Sequence, residues 1–212
     1  MCVRYVGTDP RTEKVQRRLN LILGDPSLVE VFPGDVGAIL GGPPEKRNLI
    51  PARWGMQPVW VNDPRWGKKN AYNARSETLF EKPTFRAAVK SRRCLVPAQE
   101  FYERAEGRWI RMLPEDGEPL LIAGLFEPVN NLSDLPTYTL VTTLPNLRIV
   151  DYNDRMPVLL TPEDAVRWLD KETPIEELPS LMIPCPEDLL RIEDAGPVGK
   201  PKATPQPPPT LF

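Results

Sequence analysis

Arg92-Arg93-Cys94-Leu95-Val96-Pro97-Ala98-Gln99-Glu100-Phe101-Tyr102-Glu103 is the stretch from which the rest of this chain can be read. A basic pair leads into an apolar strand, and the strand ends on a carboxylate. Glu103 sits between Tyr102 and Arg104. Burial against basic charge would set its protonation and make it a candidate general acid or base. Taken alone, a solvated glutamate at a strand end is the simpler reading.

Working outward, Leu120–Phe126, Thr137–Thr143 and Pro157–Leu160 are apolar or β-branched runs bounded by turn residues, and read as strands. Residues 29–40 read as short extended segments broken at Pro33-Gly34. Helices are fewer. Thr12–Gly24 carries Val15, Leu19 and Ile22 at helical spacing, and residues 82–93 contain a short helix with Phe85, Ala88 and Val89 on one side. Thr161-Pro162-Glu163-Asp164 is a helix start: a capping hydroxyl, a first-turn proline and acids at the positive end of the dipole. That helix should run to about Asp170, with Ala165, Trp168 and Leu169 apolar. The pattern predicts one α+β, strand-dominated domain over residues 1–195. Residues 196–212 form a Pro-rich tail, expected to be disordered.

The chain has 212 residues, three cysteines, 27 prolines and no histidine. No apolar run is long enough to span a bilayer, and no basic region precedes an apolar stretch at the N-terminus, so a cytoplasmic, nucleoid-associated protein is expected. Without histidine there is no Ser-His-Asp or Cys-His pair and no imidazole ligand. Cys2, Cys94 and Cys185 lie too far apart in sequence for a CxxC-type site. Neither a metal nor another cofactor is expected, and any catalysis falls to thiol, carboxylate, amine, amide or guanidinium groups.

The net charge of -2 hides an asymmetry. Residues 45–111 hold 15 Lys and Arg against 7 Asp and Glu, whereas residues 161–194 hold 10 acidic against 3 basic residues. A basic middle backed by an acidic third suits a polyanion-binding face, although solvation of an ordinary surface explains the same counts.

Three further places offer chemistry. Were Met1 removed, Cys2 would present an amine and a thiol on adjacent carbons, both partly nucleophilic near neutrality. An aldehyde condenses with such an amine to an imine, and the thiol closes a five-membered thiazolidine. An incidental buried cysteine is the plainer alternative. Asn73-Ala74-Arg75-Ser76-Glu77 places an amide, a guanidinium and a carboxylate on one face of an extended segment; a turn with an ion pair would look the same. In Asn153-Asp154-Arg155-Met156-Pro157, Arg155 could hold a phosphate through two parallel hydrogen bonds, or the segment could be a turn into the strand that follows.

Together and in this order, these segments resemble the SOS-response-associated peptidase (SRAP) family. The residues that carry the resemblance are Met1-Cys2-Val3-Arg4-Tyr5, Trp54-Gly55-Met56-Gln57-Pro58-Val59-Trp60, Asn73–Glu77, Lys82-Pro83-Thr84-Phe85-Arg86, Arg92–Glu103, Thr142-Thr143 and Arg155–Val158. The resemblance implies a barrel-like antiparallel core with peripheral helices. It also implies shielding of abasic sites in single-stranded DNA by a thiazolidine between Cys2 and the ring-opened deoxyribose. Asn73 would then position the sugar or thiol and Glu103 would move protons. Arg4, Arg75 and Arg155 would hold phosphates, with Thr142 nearby. Trp60 fits a base-stacking position, an interaction worth about 1–3 kcal/mol per base. Pro33 would interrupt stacking across the lesion.

The departures from the family pattern are specific. The family places histidine two residues before the arginine of Arg-Met-Pro, where this chain has Asn153. That histidine is linked to sugar opening and crosslink reversal; asparagine keeps the hydrogen bonding but exchanges no proton near neutral pH. Val3 and Glu100 replace glycines, Arg104 replaces a tryptophan, and the family's Tyr-Asn-x-Ala-Pro segment is reduced to Val31-Phe32-Pro33. Two other functions stay open: a non-covalent single-strand binder, and a thiol peptidase or self-processing protein using Cys2 with Glu103. A monomer is expected. The tail, ending Gln206-Pro207-Pro208-Pro209-Thr210-Leu211-Phe212, resembles sliding-clamp-binding peptides and suggests a replication-clamp contact.

Overall fold

A computed structural model describes residues 2–7, 30–41 and 48–198. The helix expected over Thr12–Gly24 and most of the Pro-rich tail lie outside the described residues. The spine of the molecule is strand β6, Arg93–Ala105, which grows out of the quoted segment. Two neighbours follow one another along each of its edges.

On one edge lie β3 (Val36–Gly41), touching at Leu40 and Leu95, and then β1 (Arg4–Gly7), with Arg4 opposite Tyr102. On the other lie β8 (Leu120–Glu127) and then β7 (Arg108–Pro114). Strand β4 (Asn48–Trp54) pairs with β3, and β9 (Thr137–Thr143) pairs with β8. Strands β4 and β9 then pair with each other, so β3, β4, β9, β8 and β6 close a five-stranded barrel. The barrel-like, strand-dominated core expected from the sequence is present, but its closing pair is parallel. A parallel pair needs a long crossover, and the chain between β4 and β9 is long enough to supply one. Beyond the barrel, β2 (Glu30–Val31) pairs with β1, and β11 (Leu190–Pro197) pairs with β7, widening the sheet.

Strand alternation sorts the apolar residues into two layers. Leu40, Leu95, Ala123, Leu125 and Val141 share a cluster with Phe85, Ala88, Val89, Ala165 and Trp168, which lie on or beside the covering helices. The intervening residues Ile39, Trp54, Val96, Ile122 and Leu140 fill the barrel, in a cluster that also takes in Cys2 and Phe101. The short helices are α1 (Trp66–Asn70), α2 (Ala88–Ser91), α3 (Pro162–Leu169) and α4 (Leu178–Leu181). Helix α3 is capped as expected: Thr161 Oγ1 accepts from Asp164 N at 3.1 Å. Arg93 is 5% exposed and donates to Val89 O at 2.8 Å and to main-chain oxygens of Trp168 and Asp170, tying α2 and α3 to the spine. Arg92 pairs with Glu127 at 2.6 Å. The basic pair of the quoted segment is therefore consumed in packing.

The Pro157–Leu160 run is less regular than expected. Only Met156–Pro157 forms a strand, β10, beside β9, and Leu159 bridges to Ile122. Proline at 157 has no N–H to extend the ladder. No described helix is long and apolar enough to cross a membrane.

Candidate functional site

Strand β5 (Asn73–Arg75) runs parallel to β9, with Asn73 opposite Leu140 and Arg75 opposite Thr142. Alternation turns Ala74 into the core, leaves Asn73 half-buried and exposes Arg75. The strand ends there: Ser76–Thr78 is a 3-10 turn. The expectation that Glu77 continues the Asn73 and Arg75 face is therefore incorrect, because the tighter turn rotates it away. Asn73 Nδ2 donates to Cys2 O at 2.7 Å, fixing the start of the chain against β5.

Cys2 is fully buried, and its thiol donates to Arg4 O at 3.6 Å. Burial, followed by the nearby Glu103 charge, pushes the thiol far above its usual range. Glu103 is also fully buried. It shares the inward face of β6 with Phe101, while Tyr102 and Arg104 project from the other face. Burial pushes its carboxyl up to about 7, with the charge of Asp154 adding to the rise. Asn153 Nδ2 donates to Glu103 Oε2 at 2.7 Å, and Asn153 Oδ1 accepts from Arg155 N at 3.2 Å. Asn153 thus grips the carboxylate with one end of its amide and its own turn with the other.

Arg155 is 6% exposed. Its two terminal nitrogens donate to the Glu77 carboxylate at 2.5 and 2.9 Å, and Nη2 also donates to Thr142 O at 2.7 Å. That hydrogen bonding holds the Glu77 carboxyl below its ordinary range. Thr142 is buried, and its hydroxyl donates to Ala74 O at 3.4 Å. Cys2, Asn73, Glu103, Asn153, Thr142 and Arg155 are linked through these contacts, with Arg75 exposed at their rim.

Arg4, Pro33 and Trp60 are held elsewhere. Arg4 lies opposite Tyr102, on the face of the sheet away from Glu103, and its guanidinium stacks 3.9 Å from the Tyr102 ring centroid and 5.2 Å from that of Trp109. It is also ion-paired to Glu30. Pro33 is in the turn between β2 and β3. Trp60 is 56% exposed and stands edge-on to Trp66 of α1, with centroids 5.6 Å apart. Sequence reading missed the Glu77 clamp on Arg155 and the aromatic seat of Arg4. The alternation of Tyr102 and Glu103 was the available signal for the second; no local signal marks the first.

Residues 1–198 match the profile of the family described as SOS response associated peptidase (SRAP). The chain is 42% identical over 149 residues to the abasic site processing protein YoqW of Bacillus subtilis (strain 168), a match covering 64% of each chain. It is 33% identical over 173 residues to the abasic site processing protein HMCES of Xenopus tropicalis, covering 66% of this chain and 50% of that one. The matched region thus spans about two thirds of the bacterial relative's length and half of the vertebrate one. Among solved structures, a crystal structure of a Bordetella bronchiseptica protein is 28% identical with a TM-score of 0.79, covering 91% of this chain and 99% of that one.

Proposed function

This chain belongs to the SOS response associated peptidase (SRAP) family, and from that premise we propose that it recognises abasic sites in single-stranded DNA and caps them covalently through Cys2. The observation that carries the reading is a single buried meeting place. Asn73 holds the Cys2 main chain, the Glu103 charge acts on the Cys2 thiol, and Glu103 itself titrates at about 7.

The chemistry starts once Met1 is removed and the Cys2 α-amine is free. The amine nitrogen adds to the aldehyde carbon of the ring-opened sugar. The carbonyl oxygen leaves as water, forming an imine. The thiol sulfur adds to the carbon of the protonated imine, the thiol proton goes to the Glu103 carboxylate, and the nitrogen keeps the proton it already carries. One C–N and one C–S bond form, one water is released, and nothing is oxidised or reduced. Protonated Glu103 supplies a proton to the departing oxygen, and its carboxylate accepts one from the thiol. A group that titrates near neutrality serves both roles, and such help is typically worth about 10²–10⁴-fold in rate. Asn153 orients the carboxylate that does this, and Asn73 orients the cysteine. Arg75 at the rim is available to a phosphate. Burial of Arg155 against Glu77 and Thr142 supports a supporting role beneath the strand for that residue.

Intact mass spectrometry with and without an abasic single-stranded oligonucleotide tests the reading. The expected result is loss of Met1 and a denaturation-resistant adduct lighter by one water than the sum of its parts, absent in Cys2→Ser. Binding without an adduct would overturn it in favour of a non-covalent binder. Peptide cleavage abolished by Cys2→Ser would favour a peptidase.

A further inference from the structure

The turn that carries Pro33 and the loop that carries Trp60 also border a pocket of about 300 Å³, separate from the cluster at Cys2. Its lining includes Gly34, Arg53, Arg65, Lys68 and Asp134. Three cations face one carboxylate there. Arg53 Nη1 donates to Gly34 O at 3.0 Å, which fixes the guanidinium plane, while Nη2 stands 3.8 Å from an Asp134 whose side chain is 87% exposed. Arg65 lies 4.0 Å from Asp63, at the limit of an ion pair. Lys68 is exposed and forms no ion pair among the described residues. Such wet, loose pairs leave the positive charge largely uncompensated.

The frame of the pocket is rigid. Buried Gln57 donates its N–H to Thr137 Oγ1 at 2.8 Å and its Nε2 to Asp63 O at 2.8 Å, and its Oε1 accepts from Gly67 N at 3.0 Å. Gly55, at φ +126°, and Gly67 bring two backbones together so closely that a Cβ on Gly67 would fall 2.2 Å from Gly55 O. The pocket also adjoins Pro33 and Trp60, the two residues outside the Cys2 cluster that the family resemblance assigns to the DNA face. Gly34 follows Pro33, and α1 carries both Lys68 and Trp66, the ring on which Trp60 leans.

We propose that this pocket is a phosphodiester subsite, taking one backbone phosphate of the DNA strand that flanks the lesion. The inference rests on the function proposed above and extends the binding face beyond the cluster at Cys2. Arg53 and Lys68 supply the charge, with Arg53 pre-oriented by Gly34. A subsite of this kind fixes the register of the strand and carries no sequence information, as contacts to phosphate do.

The test uses the full chain and an undamaged single-stranded oligonucleotide long enough to run past both ends of the protein. Fluorescence anisotropy across a salt series compares wild type, Lys68→Gln, the Arg53→Gln Lys68→Gln double variant and Lys171→Gln. For single strands the slope of log K against log salt is about -0.7 per phosphate contact. Lys68→Gln should therefore flatten the slope by up to about 0.7, with further weakening in the double variant. Lys171, exposed after α3, should leave it at the wild-type value. Lys68→Gln keeps most of the aliphatic stem that lies over Gly34 and removes only the charge, so the variant reads the site without risking the fold. A wild-type slope in both pocket variants, or an equal change in Lys171→Gln, would overturn the subsite. Inorganic phosphate that abolishes the difference between wild type and Lys68→Gln at constant ionic strength, at concentrations too low to displace DNA from Lys68→Gln, would assign the pocket to a free anion and also overturn it. Failure of wild type to bind any single strand would overturn the function proposed above as well; binding with unchanged slopes would overturn the subsite alone.

Discussion

Asn153 Nδ2 donates to Oε2 of Glu103 at 2.7 Å, joining residues 50 positions apart in the chain. The contact has one-way chemistry. An amide holds a carboxylate in place, yet it neither supplies nor accepts a proton near neutral pH. Glu103 is therefore oriented by a neighbour that cannot share its protons.

Asn153→His should restore a titrating partner at this position. In timed gel assays on abasic single-stranded DNA, the variant should reverse its adduct at least about ten-fold faster than wild type, a fraction of the about 10²–10⁴-fold that general acid–base help typically supplies. Equal formation and reversal rates would show that the amide is no handicap.

Glu103→Gln keeps the shape and an acceptor for Asn153 but removes the charge. The wild-type carboxyl titrates at about 7 when folded, against an ordinary value of 4.5, because burial penalises its charged form. A raised carboxyl favours folding below its unfolded value, and that contribution is lost as pH rises through 7. The full loss is about 3 kcal/mol from the linkage relation. Thermal unfolding should show wild type losing stability between about pH 4.5 and pH 7 relative to Glu103→Gln. Parallel pH profiles of the two proteins would contradict the assignment. Adduct formation by wild type should peak near neutrality, and the variant should be slower throughout.

Glu77→Gln leaves the buried Arg155 guanidinium without its ionic partner. The expected cost is about 1–3 kcal/mol, read as a lower denaturant midpoint. The sign of the pH effect is opposite to that of Glu103. Arg155 holds Glu77 below its ordinary 4.5, so its contribution is present above that value and is lost as pH falls through the lowered one. Acid titration of wild type and Glu77→Gln should converge at low pH. A gap that persists there would mean the pair is not the source.

Gly67→Ala tests the packing that supports the Trp60 loop. The new methyl would meet Gly55 O at 2.2 Å, a backbone atom that cannot swing aside. A destabilisation of about 1–3 kcal/mol is expected from overpacking, together with a change in tryptophan fluorescence as the Trp60 and Trp66 contact shifts. An unchanged melting curve and spectrum would show that the two backbones have room to part.

Much of this architecture was legible along the chain because its signals are local. The quoted Arg92–Glu103 segment does become the barrel's spine, the Thr161 cap forms, and Phe85, Ala88 and Val89 do turn together into the core. Where the local signal changes mid-segment, reading along the chain fails: Glu77 lies in the 3-10 turn that follows the three residues of β5, and Pro157 cuts a strand short.

By itself the sequence determined which chemistry is available: a cysteine next to the first residue, no imidazole anywhere, and amides and carboxylates spaced within recognisable blocks. The tertiary structure alone decided how those groups behave. It buried Glu103 and so moved its titration to neutrality, and it put Asn153 rather than a proton carrier against it. It closed Arg155 onto Glu77 from 78 positions away and turned Arg4 to the opposite face of the sheet. The physical reason is the range of the forces involved. Strand alternation and capping depend on the nearest few residues, whereas desolvation and ion pairing depend on whatever the closed barrel brings into contact.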